Sequence, residues 1–300
     1  MDRIYVMELV HAVQTGKLSR REFVHRAALA VGSLASANLL LAACQPITAE
    51  SPAVVVESDA PATGATGLVE EGGLLVGVAE YPDTDDGTLM GYLARPVGDE
   101  QLPAVIVIQE WWGVDDHIKD VTRRFAQEGY VALAPDLYHG QVVSEPDEAR
   151  KLVMELDMDE AVREIQQAIS YLLDQPEVAG DQVGVVGFCM GGRLALMTAR
   201  AADTVGAAVA FYGTPLSPEE AQEIQAPVLG LYGEEDGGIP VENVEAMQGA
   251  LEEANIENSF TIYPGAQHAF FNDMRPSYNA EAAADAWQQT LDWFSTHLEG

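Results

Sequence analysis

The chain has 300 residues, enough for one large α/β domain or two small ones, and its 48% hydrophobic content is ample for a full core. Fifteen Lys and Arg against 48 Asp and Glu give a formal charge of −33, which argues against nucleic acid and anionic membrane surfaces as partners. The two cysteines, Cys44 and Cys189, lie in such different surroundings that they are read as having separate chemistries rather than as a disulfide.

Residues 1–18 carry apolar Ile4, Val6, Leu9, Val10 and Val13 and read as a short amphipathic segment. The run Ser19-Arg20-Arg21-Glu22-Phe23-Val24 then resembles a twin-arginine export motif. An apolar stretch from Ala27 to Ala43 follows, too weakly hydrophobic for a permanent membrane span. It ends in Leu41-Ala42-Ala43-Cys44, which resembles the lipobox of bacterial lipoproteins, so Cys44 is the expected lipid acceptor. The chain is therefore expected to be exported and lipid-anchored outside the cytoplasm; the plain alternative is an N-terminal core helix. Removing residues 1–43 takes away five basic and three acidic side chains, leaving 10 basic against 45 acidic, a net charge of −35. Residues 45–73 are rich in Ala, Pro, Ser, Thr, Gly and Glu with little apolar periodicity, and read as a flexible linker.

The folded unit is expected over residues 74–300. Leu74 to Tyr81 and Thr88 to Ala94 flank the turn dipeptide Asp86-Gly87 and predict a hairpin. Ala104 to Gln109 is a β-branched run suited to a central parallel strand. Helical pattern over His117 to Glu128, a strand over Tyr130 to Ala134 and an acidic helical region from Pro146 to Leu173, broken near Asp157, come next. Beyond residue 183 the pattern predicts strands at Ala207 to Tyr212, Val228 to Tyr232 and Ser259 to Tyr263, and helices at Val241 to Ala254 and Asn279 to His297. Alternating strands and helices predict a single α/β domain with a mostly parallel sheet and helices on both faces.

One stretch carries chemistry. Val183-Gly184-Val185-Val186 leads into Gly187-Phe188-Cys189-Met190-Gly191-Gly192 and a helix-forming run from Arg193. Glycines two residues either side of a nucleophile permit the sharp strand-to-helix turn that lifts its side chain onto a helix N-terminus. There the free N–H groups stabilise a thiolate and a developing oxyanion. A buried cysteine that merely packs is the bland alternative. The nucleophile needs a base and an orienting acid, and two loops at strand ends supply candidates. Asp236 lies in Gly233 to Pro240, where Glu234 and Glu235 are rivals, and His268 lies in Pro264 to Phe270. The order Cys189, Asp236, His268 is that of α/β-hydrolases. His139 is the competing histidine but precedes the nucleophile; His11 and His25 fall in the signal, and His117 and His297 on helices. After the central strand, Gln109-Glu110-Trp111-Trp112-Gly113 would provide one oxyanion N–H from Trp111, and the residue after the nucleophile, Met190, the other. Glu110 beside a thiol can hold the cysteine proton at rest or take it on activation; alternatively it is a carboxylate satisfied by an ion pair. Trp112, Tyr138, Phe188 and Phe270 are candidates for an apolar substrate pocket, although aromatic side chains at strand ends also serve as core.

These stretches, with Ala134-Pro135-Asp136-Leu137-Tyr138, resemble the dienelactone hydrolase family (carboxymethylenebutenolidases) over residues 75 to 298. The resemblance implies an α/β-hydrolase domain, a Cys-His-Asp triad formed here by Cys189, His268 and Asp236, a glutamate interacting with the thiol at Glu110, and no metal or other cofactor. It implies hydrolysis of an ester or lactone through an acyl-cysteine. Where the family holds a substrate carboxylate with arginines, this chain has His139-Gly140-Gln141 and Asn272, and the nearby basic candidates are Arg193 and Arg275. The expected partner is a small ester or lactone, with no nucleic acid, and a monomer is the expected form. Alternatives are an anchored binding protein on a hydrolase scaffold without turnover, and a thiol redox sensor, which would lack a resolving cysteine.

Overall fold

The computed structural model describes residues 67–298 apart from 85 and 86. The export motif, Cys44 and most of the linker lie outside the described residues, as does Asp86 of the hairpin turn. In chain order the elements are β1 Val69–Glu71, β2 Leu74–Pro82, β3 Thr88–Pro96, β4 Ala104–Ile108, α1 Asp116–Gln127, β5 Val131–Pro135, α2 Pro146–Glu155, α3 Met158–Leu173, β6 Val183–Phe188 and α4 Met190–Ala201. They continue with β7 Val205–Phe211, α5 Pro218–Ala221, β8 Val228–Gly233, α6 Val241–Glu253, β9 Asn258–Tyr263 and α7 Ala280–Leu298.

The strands form one sheet in the order β1-β2-β3-β5-β4-β6-β7-β8-β9. From β5 through β9 every neighbouring pair is parallel, while β1, β2 and β3 are antiparallel. Every residue of β4, β5, β6, β7 and β8 is buried, because helices cover both faces, and continuous apolar runs such as Ala104–Ile108 satisfy that environment. On one face Phe125 of α1 meets Trp287 and Phe294 of α7, with ring centroids 4.6 and 6.0 Å apart. On the other, α3 packs against α4.

The hairpin of β2 and β3 forms as expected, with Leu74 opposite Pro96 and Pro82 opposite Thr88. The acidic helical region breaks where expected, since the Asp157 side chain accepts hydrogen bonds from the N–H groups of Asp159 and Glu160 and so caps α3. Two elements escape the sequence pattern. β1 falls inside the stretch read as linker; its three residues are exposed and it pairs with β2 through the backbone, so no apolar alternation marks it. α5 is a single turn held by a capping box between Ser217 and Glu220, too short for a periodic signal.

This topology gathers one edge of the sheet. The C-terminal ends of β4 to β9 all point the same way, and strand order reverses at β4, which lies between β5 and β6. The loop after β4 leads to α1 and the turn after β6 leads to α4, so a crevice opens between those strand ends.

Candidate active site

Cys189 occupies the N-cap of α4 with φ 56° and ψ −116°, and its side chain is partly exposed. A Cβ on Gly187 would fall on the carbonyl of Gly191, and one on Gly191 would lie 2.5 Å from the carbonyl oxygens of Ile108 and Gln109. Glycine is therefore required on both sides of the turn, and Gly191 lets α4 approach the end of β4. The N–H of Cys189 donates to the carbonyl of Phe211 at 3.0 Å, tying the turn to β7.

The loops after β8 and β9 meet above this turn. Asp236 is buried, and its Oδ2 lies 2.6 Å from Nδ1 of His268 while Oδ1 accepts from the N–H of Gly238 at 2.9 Å. Glu234 and Glu235 are exposed, and Glu234 instead accepts from the N–H of Gly265. The competing histidine, His139, is turned toward Glu164 of α3, with 3.4 Å between Nε2 and Oε1. His268 is 39% exposed at its side chain. Burial works against its charge, yet the hydrogen bonds to Asp236 and Cys189, together with the charges of both, push its pKa up to about 10. The shift favours the charged form of the imidazole beside the Asp236 carboxylate.

Glu110 is buried at the end of β4. Its Oε1 accepts from the hydroxyl of Tyr212 at 3.1 Å and its Oε2 from Nδ2 of Asn272 at 2.8 Å. Burial, and then the charges of Glu110 and Cys189, push the Tyr212 phenol well above its usual range, so it stays a donor. The Tyr212 ring stands edge-on to His268 at 5.1 Å. Asn272 was visible in the sequence only as a position where an arginine is missing; its role as a donor to Glu110 has no local pattern, because the two residues are 162 positions apart. The arrangement places both Glu110 oxygens on donors, which fixes the carboxylate in one orientation.

Among the described residues no acceptor engages the backbone N–H of Trp111 or of Met190, at the crevice between β4 and β6. Gln109 fixes the first of these loops by accepting from the N–H of Leu137 at 3.3 Å. Tyr138 is buried, donates to the sulfur of Met190 at 3.5 Å, and has its pKa raised by burial and then by the charge of Cys189. Trp112 is buried with the Arg275 guanidinium stacked 3.8 Å over its ring. Phe188 and Phe270, expected in the pocket, are instead enclosed in the core: Phe188 stacks on Phe271 and Phe211, and Phe270 packs on Tyr212 and Tyr263. Phe188 precedes the upturned Cys189 on a strand covered on both faces, which directs its ring into the aromatic layer beneath the site. Arg193 points away, donating to the carbonyl of Pro215 with Glu220 at 3.9 Å.

An upturned cysteine after β6, an acid after β8 and a histidine after β9 on a mostly parallel sheet define the α/β-hydrolase class. Comparison with known proteins narrows that class. The sequence profile described as "Dienelactone hydrolase family" matches residues 89–298, and the chain belongs to that family of hydrolases acting on esters or lactones. A Synechocystis sp. protein assigned as a carboxymethylenebutenolidase is 41% identical over 229 residues, covering 70% of this chain and 93% of the relative. A crystal structure assigned as a dienelactone hydrolase of Klebsiella pneumoniae subsp. pneumoniae is 36% identical with a TM-score of 0.69, covering 74% of this chain and 98% of that one. A dienelactone hydrolase-like promiscuous phosphotriesterase from metagenomic libraries is 27% identical with a TM-score of 0.68, covering 75% and 99%.

A raised histidine pKa has a definite sign. Charge on His268 favours the folded state fully below about pH 6.5. That contribution is lost as pH rises through about 10. Histidine ring resonances followed by NMR should show His268 still protonated at pH 8, and Asp236→Asn should move its midpoint down. A wild-type midpoint near that of a free histidine would contradict this.

Proposed function

We propose that the protein is an exported hydrolase of carboxylic esters or lactones that works through a Cys189, His268, Asp236 triad and an acyl-cysteine. The observation that carries this reading is His268, held at 2.6 Å by Asp236 on loops that reach the same sheet edge as a cysteine at a helix N-terminus. In that setting the Cys189 sulfur attacks the carbonyl carbon, and the carbonyl π electrons move to oxygen. The N–H groups of Trp111 and Met190 stabilise the resulting oxyanion. As the C–O bond to the leaving alkoxide breaks, His268 gives up its proton to that oxygen. Neutral His268 then takes a proton from water, whose oxygen attacks the thioester carbon. The carbon–sulfur bond breaks, the carboxylic acid leaves, and the thiolate with its imidazolium returns. Glu110 serves as a positioning residue by holding Tyr212, the wall against which His268 rests.

The reading of the substrate stays at ester or lactone. The positions that would hold the carboxylate of dienelactone carry Asn272 and the His139 loop, and Asn272 is already engaged with Glu110. Export rests on Arg20-Arg21 and on Leu41-Ala42-Ala43-Cys44, whose chemistry is that of a signal followed by lipidation.

A panel of p-nitrophenyl esters and lactones should be hydrolysed by the wild type. Cys189→Ala and His268→Ala should each lower kcat by at least about a thousandfold, in keeping with loss of a nucleophile or its base. Equal rates for the wild type and both variants would sink the mechanism. For export, mass spectrometry of the membrane fraction should find a mature chain beginning at lipid-modified Cys44; an intact Met1 terminus in the cytoplasm would reverse that part of the proposal.

A further inference from the structure

The chain beyond residue 43 has 10 basic side chains against 45 acidic ones, and seven of the 10 lie within 3.9 Å of a carboxylate. Arg124 of α1 is an exception. Its guanidinium carbon sits 4.1 Å from the ring centroid of Trp287 and 5.2 Å from that of Phe271, and no acceptor among the described residues engages its N–H groups. Of the three carboxylates whose charges reach it, Asp120, Asp273 and Glu128, the first is engaged by Arg123 at 3.5 Å and the second by His117 at 3.4 Å. Burial lowers the pKa of Arg124, so its charge is held against a desolvation cost. Stacking on aromatic rings offsets part of that cost but leaves the in-plane N–H fork unused.

Arg124 borders a cavity of about 330 Å³ lined also by Phe271, Asp273, Tyr278, Trp287, Ala283 and Ala284. None of the triad residues lines it. Its wall Phe271 stacks on Phe188, so the cavity lies behind the aromatic layer that supports Cys189. A lining that combines one cation with aromatic and methyl groups recognises a molecule that carries both an anionic group and an apolar body. The carboxylate of Asp273, 68% exposed, stands at the same cavity and disfavours a doubly charged guest. We infer that this cavity is a second binding site, separate from the catalytic crevice, for a small organic monocarboxylate whose oxygens pair with the Arg124 guanidinium and whose apolar body lies against Tyr278 and the two alanines. The inference goes beyond ester hydrolysis and is read by binding alone, so it stands or falls independently of the triad.

Isothermal titration of sodium benzoate into the full-length protein tests it, with benzamide and inorganic phosphate as comparison probes. Benzoate should bind with one site per chain, and benzamide and phosphate at least about tenfold more weakly. Arg124→Gln should weaken benzoate by at least about tenfold, and so should Ala284→Phe, which fills the cavity without touching the charge. Alkylation of Cys189 with iodoacetamide should leave benzoate binding unchanged. The proposal is overturned by absence of benzoate binding to the wild type, by wild-type affinity in Ala284→Phe, by phosphate binding as tightly as benzoate, or by loss of binding on alkylation. Should Arg124→Gln fail to give the wild-type circular dichroism spectrum, Ala284→Phe alone decides.

Discussion

The backbone of Cys189 is held at φ 56° and ψ −116°, a conformation that costs a side-chain-bearing residue about 1–3 kcal/mol and persists only where the surroundings enforce it. The surroundings here are steric. Gly187 removes a Cβ that would collide with the carbonyl of Gly191, Gly191 removes one that would strike the end of β4, and the bond from the Cys189 N–H to Phe211 fixes the turn from the neighbouring strand. Once the turn is made, the side chain stands at a helix N-terminus above the crevice, and parallel strands deliver the Asp236 and His268 loops to the same edge. The sheet therefore acts as the ruler that sets the spacing, and the elbow supplies the strained point on it.

Charge is arranged around this point in two layers. The inner one is Asp236, His268 and Cys189, where hydrogen bonds outweigh burial and keep the imidazole charged. Behind it, Glu110 is buried with each oxygen on a donor, and through Tyr212 it braces the face of His268. An unpaired carboxylate at that depth would be costly, so the Asn272 amide and the Tyr212 hydroxyl are what make a buried glutamate tolerable there.

Much of this was legible in the sequence. The β-branched run Ala104–Ile108, the glycines flanking Cys189, the strand-end loops of Asp236 and His268, and the break at Asp157 all act locally, so pattern and spacing expose them. Contacts between distant segments do not. The bond from Asn272 to Glu110 and the turning of His139 toward Glu164 depend on which loops the sheet brings together. Phe188 and Phe270 misled for the same reason: an aromatic residue at a strand end can face substrate or core, and only the covering helices decide. β1 gave no signal because its pairing is made by the backbone alone.

The central claim is that the acyl group passes through the Cys189 sulfur, and trapping that intermediate tests it most directly. Rapid acid quenching of the protein during turnover of p-nitrophenyl acetate, followed by proteolysis and mass spectrometry, should show one acetyl group on the peptide containing Cys189, labile to hydroxylamine as a thioester is. Steady hydrolysis of the ester with that peptide unmodified, or with the acetyl group on another residue, would contradict the account.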